Sequence, residues 1–130
     1  MYTVKVTDHF FIAHSLNHPS FGKAANLHGA TYVVDLILSS DKLLETNIVI
    51  DIDIATRILK KCLEKYSFTN LDNNPELEDA LTTTEFLSKL IVEKFCEHAE
   101  NENVDLKNIS SIKVILNESH VASASFEKHL

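Results

Sequence analysis

Apolar residues recur at every second position near both ends of the chain and at three-to-four-residue spacing in its middle. That change of period calls for a sheet assembled from distant segments, with helices inserted between them. Tyr2, Val4 and Val6 alternate with Thr3, Lys5 and Thr7, and Phe10, Phe11 and Ile12 carry the run to His14, which predicts a strand with one buried face. Tyr32 to Leu38 is rich in β-branched residues and apolar on both faces apart from Asp35, which predicts a second strand. Between them the pattern breaks around Pro19 and Gly22. The connection from Ser15 to Leu27 is longer than a tight hairpin needs, which makes it a candidate functional loop. Ile112, Val114 and Leu116 predict a third strand, and Val121 to Phe126 a returning fourth.

In the middle of the chain, Ile54, Ile58, Leu59, Cys62, Leu63 and Tyr66 recur at helical spacing behind Asp53, a residue type suited to capping. Thr82 followed three residues later by Glu85 has the form of a capping box. Phe86, Leu87, Leu90, Ile91, Phe95 and Cys96 then form a second helical stripe, and Glu97 to Asn108 reads as a surface connection. The order strand, strand, helix, helix, strand, strand predicts an α+β domain spanning 1–130, an antiparallel four-stranded sheet with two helices on one face. Such a sheet has two open edges. Covering them, and the second apolar face of the second strand, predicts a ring-shaped homo-oligomer.

Composition narrows the function classes. Only two glycines and two prolines occur among 130 residues, so low-complexity linkers are excluded, and 45% apolar content supplies a core without disulfides. Cys62 and Cys96 fall on apolar helix faces and read as buried hydrophobes. A formal charge of −7 with scattered Lys and Arg argues against a nucleic-acid surface. No basic leader or long apolar run is present, which predicts no membrane span and a cytoplasmic protein.

Four segments carry a resemblance that covers nearly the whole chain. They are Phe11-Ile12-Ala13-His14, His28-Gly29-Ala30-Thr31-Tyr32, Thr83-Thr84-Glu85 and Asn117-Glu118-Ser119. In these the chain resembles the family of 6-pyruvoyl-tetrahydropterin synthases and queuosine-type 6-carboxy-tetrahydropterin synthases, which have the tunnelling fold. The resemblance implies zinc bound by His14 and His28, a pterin ring anchored by Glu118, and a ring site lined by Thr83 and Thr84. The chemistry suits those types, because a carboxylate accepts two parallel hydrogen bonds from adjacent N–H groups and a three-ligand zinc keeps an open position to polarise an oxygen. It also implies a ring of three to five subunits, possibly stacked in pairs.

The departures from the family pattern are equally specific. The third zinc ligand of the family corresponds to Ala30, its catalytic cysteine to Ala24, and its Asp-His proton relay to Ser67 and Phe68. His120 is the candidate replacement metal ligand, with His9 second, and a general base would be His120, His9 or Asp51. Two functions follow as expectations. One is a zinc-dependent lyase acting on the side chain of a reduced pterin such as dihydroneopterin triphosphate. The other is a pterin- or purine-binding oligomer without chemistry.

Overall fold

The computed structural model describes residues 1–130. The first alternating run becomes β1 (Tyr2–His14), and β2 (His28–Ser40) folds back on it antiparallel, with Tyr2 opposite Ser40 and His14 opposite His28. A two-residue strand, β3 (Thr69–Asn70), lies parallel to Ile12 and Ala13 of β1. β4 (Ser111–Asn117) pairs antiparallel with β2, and β5 (Ser123–His129) with β4. The strand order is β3-β1-β2-β4-β5. The α+β class holds, but the sheet is five-stranded and mixed instead of four-stranded and antiparallel. The extra strand is too short to show an alternation in sequence. It forms because the chain leaving the first helix is pinned to β1 by a hydrogen bond from the Phe68 N–H to the Phe11 carbonyl, 2.6 Å.

The helices α1 (Ile52–Glu64) and α2 (Thr84–Asn101) cover one face of the sheet. Their starts differ from expectation by one or two residues. Asp51, not Asp53, caps α1, its Oδ1 accepting the Asp53 N–H at 2.8 Å, and Thr83, not Thr82, caps α2, its Oγ1 accepting the Phe86 N–H at 3.1 Å. In each case the residue chosen from sequence lies one or two places from the true cap, a distinction that periodicity alone does not make.

Ile58, Leu59, Leu87, Ile91 and Phe95 of the helices pack on Phe10, Tyr32, Leu36, Leu38, Ile112 and Leu116 in one continuous apolar cluster. Burying each such side chain stabilises the fold by about 1.5–3 kcal/mol, so this layer fixes the strand faces. Even-numbered residues of β1 and β2 point to the helices. Odd-numbered ones, including His9, Phe11, Val33 and Asp35, lie on the more open face.

Glu76 ties the end of α1 to α2. It accepts from Lys65 Nζ at 2.6 Å, Lys94 Nζ at 2.9 Å and Tyr66 Oη at 3.1 Å, and those donors hold its carboxyl down to about 2. Both cysteines are free, and burial pushes the Cys62 thiol up to about 12. No helix is long and apolar enough to cross a membrane.

Candidate functional site

At the closing rung of the β1–β2 ribbon, register and alternation together put His14 and His28 side by side on the helix face, their ring centroids 4.7 Å apart. The His28 Nδ1–H donates to the Asn26 carbonyl at 2.8 Å, which leaves Nε2 with its lone pair free. His14 is only 3% exposed, and its Nδ1 lies 2.9 Å from Thr82 Oγ1, so here too Nε2 is the free nitrogen. Burial holds the His14 pKa below its ordinary value and the adjacent His28 acts the same way. Asp72, fixed by hydrogen bonds from the Ser15 N–H (3.1 Å) and hydroxyl (2.6 Å), opposes them.

These imidazoles form one wall of a cavity of about 190 Å³. Leu16 and Phe21, from the long connection between β1 and β2, make an apolar side. The connection is not irregular, since a 3-10 segment, Pro19–Ala25, carries Phe21 and Ala24 to the cavity. Tyr32 forms the floor, its hydroxyl pKa raised by burial, with nearby Glu118 and Glu85 adding to the rise and Thr84 opposing it. Thr83, Thr84 and Glu85 enter from the α2 N-terminus, and Glu118 from the end of β4. Ion pairs in the chain engage Asp8, Asp35, Glu76, Glu93, Glu97 and Glu102, leaving the Glu118 carboxylate free to meet a ligand.

Five residues singled out from sequence therefore share one cavity: His14, His28, Thr83, Thr84 and Glu118. Ala24 lines it as well, placing a methyl where the resemblance implies a cysteine. The structure does not bring the others in. The Glu118 and Ser119 N–H groups both donate to the Ala122 carbonyl, closing a tight turn that leaves His120 exposed near its tip. Asp51 is spent on capping α1 at the far end of the ribbon, beside Tyr2 and Thr3. His9 is odd-numbered on β1, so it points to the face opposite His14. No set of three His, Cys, Asp or Glu side chains is grouped in the single chain to hold a metal ion.

Thr82 was read only as a cap, yet it is the buried partner of His14. Its missed signal was a third consecutive threonine, more than capping needs. Ser67 and Phe68 lie at the outer edge of β1, where Ser67 Oγ accepts from the Phe11 N–H at 3.4 Å. Phe68 is 84% exposed at φ +61°. The other non-glycine residues with positive φ, Asn47 and Asn103, are of the type that tolerates it, whereas for a phenylalanine it costs roughly 1–2 kcal/mol.

The model of the family described as 6-pyruvoyl tetrahydropterin synthase matches residues 3–129. Among solved structures, the chain is similar to the Caenorhabditis elegans 6-pyruvoyl tetrahydropterin synthase, at 21% identity over 98% of this chain and 95% of that one, with a TM-score of 0.82. The Plasmodium falciparum 6-pyruvoyl tetrahydropterin synthase gives 20% identity over 98% and 99% of the two chains, with a TM-score of 0.78. The Plasmodium vivax counterpart gives 17% identity over the full length of both, also at 0.78. No curated protein is a significant match to the sequence.

Proposed function

The chain belongs to the 6-pyruvoyl tetrahydropterin synthase family, and from that premise we propose a tetrahydropterin synthase-like protein that binds a reduced pterin in the cavity between His14, His28 and Glu118. The observation that carries this reading is the convergence of two adjacent imidazoles and one unpaired carboxylate on a single small cavity. Glu118 would accept the 2-amino and ring N–H of the pterin, and Thr83 and Thr84 would meet its acceptor side. The reaction proposed is lyase-type cleavage or elimination in the pterin side chain, with altered catalytic residues.

Zinc is part of the proposal. The free Nε2 atoms of His14 and His28 suit it, and the Thr82 and Asn26 contacts would hold both rings in orientation as outer-shell partners. They supply two of the three protein donors usual at a catalytic zinc, so water or substrate oxygen would fill more of the shell than usual. Bound there, zinc would polarise side-chain hydroxyl or carbonyl oxygens of the pterin. The assembly proposed is a homo-oligomeric ring joined through the open edges of β1 and β5.

Purified protein is expected to carry stoichiometric zinc that His28→Ala loses, and to bind neopterin in a fluorescence titration that Glu118→Ala abolishes. Absence of zinc, together with unchanged handling of every tested pterin by His28→Ala, would overturn the reading. A second reading, binding without chemistry, is favoured by Ala24, whose methyl gives the cavity wall no ionisable group. Pterin product formed above a Glu118→Ala control excludes it.

A further inference from the structure

The cavity is undersized for its proposed ligand. At about 190 Å³ it falls below the roughly 300–1,000 Å³ usual for small-molecule sites, so one chain leaves a pterin partly uncovered. Elsewhere the same chain presents an aromatic ring with no burial to justify it. Phe68 is 84% exposed, is held in the left-handed region, and stacks with half-exposed Phe11 at 5.2 Å between centroids. Its backbone is fixed by the bond to the Phe11 carbonyl and by the adjoining β3 pairing. A strained and immobilised ring facing solvent is arranged to meet something outside its own chain.

It cannot serve its own cavity. Phe68 stands beyond β1 at one edge of the sheet, whereas Glu118 leaves β4 on the far side of β2, about 10 Å across two strand spacings. Strand polarity supplies the alternative. β1 ends, and β5 begins, at the same end of the sheet, so a second copy can set its β1 edge antiparallel against the β5 edge of the first. That join puts the Phe68 of the second copy and the Glu118 cavity of the first on one seam, at one end.

The geometry points to Phe68 as a wall supplied in trans. We infer that it covers the planar ring of a pterin held by Glu118 of the adjoining copy, completing a site that neither copy forms alone. This rests on the pterin reading above. Its chemical consequence is a site closed by an apolar stacking surface, selective for flat heterocycles.

The test measures neopterin affinity by fluorescence, with oligomeric state followed by light scattering. Phe68→Ala is expected to weaken binding about 5- to 150-fold, the range for losing one stacked aromatic partner, and Phe68→Tyr to restore it. Where Phe68→Ala dissociates the oligomer, Phe68→Leu keeps apolar bulk and carries the measurement on the intact assembly. Co-expressed in equal amounts, Phe68→Ala and Glu118→Ala chains are expected to yield about one quarter of sites with wild-type affinity, because a random ring pairs intact residues from neighbours at that frequency. A site built within one chain yields none, and that result overturns the inference. Unchanged affinity in both Phe68→Ala and Phe68→Leu overturns it too while leaving the pterin reading intact. Failure of the wild-type protein to bind neopterin removes both.

Discussion

The two ends of the β1–β2 ribbon are built from the same ladder and could hardly be more different in chemistry. At the closing end, the His14 and His28 rung opens onto a small cavity with a carboxylate and two threonines. At the other end, beyond the Tyr2 and Ser40 rung, the connection carrying Leu43, Ile48, Val49 and Ile50 folds over the strands and leaves a groove of about 440 Å³. The groove is more than twice as large and mostly apolar, and its one carboxylate, Asp51, is consumed by the helix cap. Size marks a recess. Function is better indicated by groups that remain unpaired and converge.

The comparison breaks most visibly at Glu118. Glu118→Ala is expected to raise the neopterin dissociation constant about 100-fold or more, since two charge-assisted hydrogen bonds of ~1.5–3 kcal/mol each would be lost, and fluorescence titration checks it. An equal loss from Asp51→Ala would show that the two ends had been assigned the wrong way round. Next in size is Thr82→Val, which keeps the volume but removes the oxygen beside His14 Nδ1. Zinc affinity is expected to fall about 10- to 100-fold, measured by competition with a chromophoric chelator.

A smaller effect is a pH dependence confined to the closing end. Because burial, with His28 adding, holds the folded-state pKa of His14 below the ordinary 6.5, the unfolded chain binds more protons just below that value. The stability of metal-free protein should therefore be full above about pH 7 and should decline as pH falls through 6.5 toward the lowered value. Thermal unfolding across that range checks it, and His14→Gln should flatten the decline. Least is expected from the distal end, where Asp51→Ala should cost about 0.5–2 kcal/mol in denaturant unfolding as a lost cap and leave zinc and neopterin binding unchanged.

Much of this was legible in sequence where a period repeats. The alternation through β1 and the helical spacing in α1 and α2 give the class and faces, and the same parity places His9 opposite His14. β3 was not legible, because two residues hold no period and its pairing depends on a Phe68 to Phe11 contact distant in sequence. The site was legible in its polar grip through the resemblance, at His14, His28, Thr83, Thr84 and Glu118. It was not legible where one residue type has two uses. Thr82 resembled a cap and proved to be the partner of His14, and Asp51 resembled a base and proved to be a cap. Nearness in sequence misled at His120, since a tight turn reverses direction within a few residues.

Because the two imidazoles occupy the last rung of a continuous ladder, their spacing is inherited from backbone geometry and owes little to the connection that follows. Residues 15–27 could be lengthened, shortened or exchanged, and the pair would still meet. A single-residue insertion within either strand is another matter, since it inverts every side chain beyond it and carries one imidazole through to the opposite surface. The ribbon end is thus a graftable two-donor clamp, open to redesign in its loop and closed to it in its register.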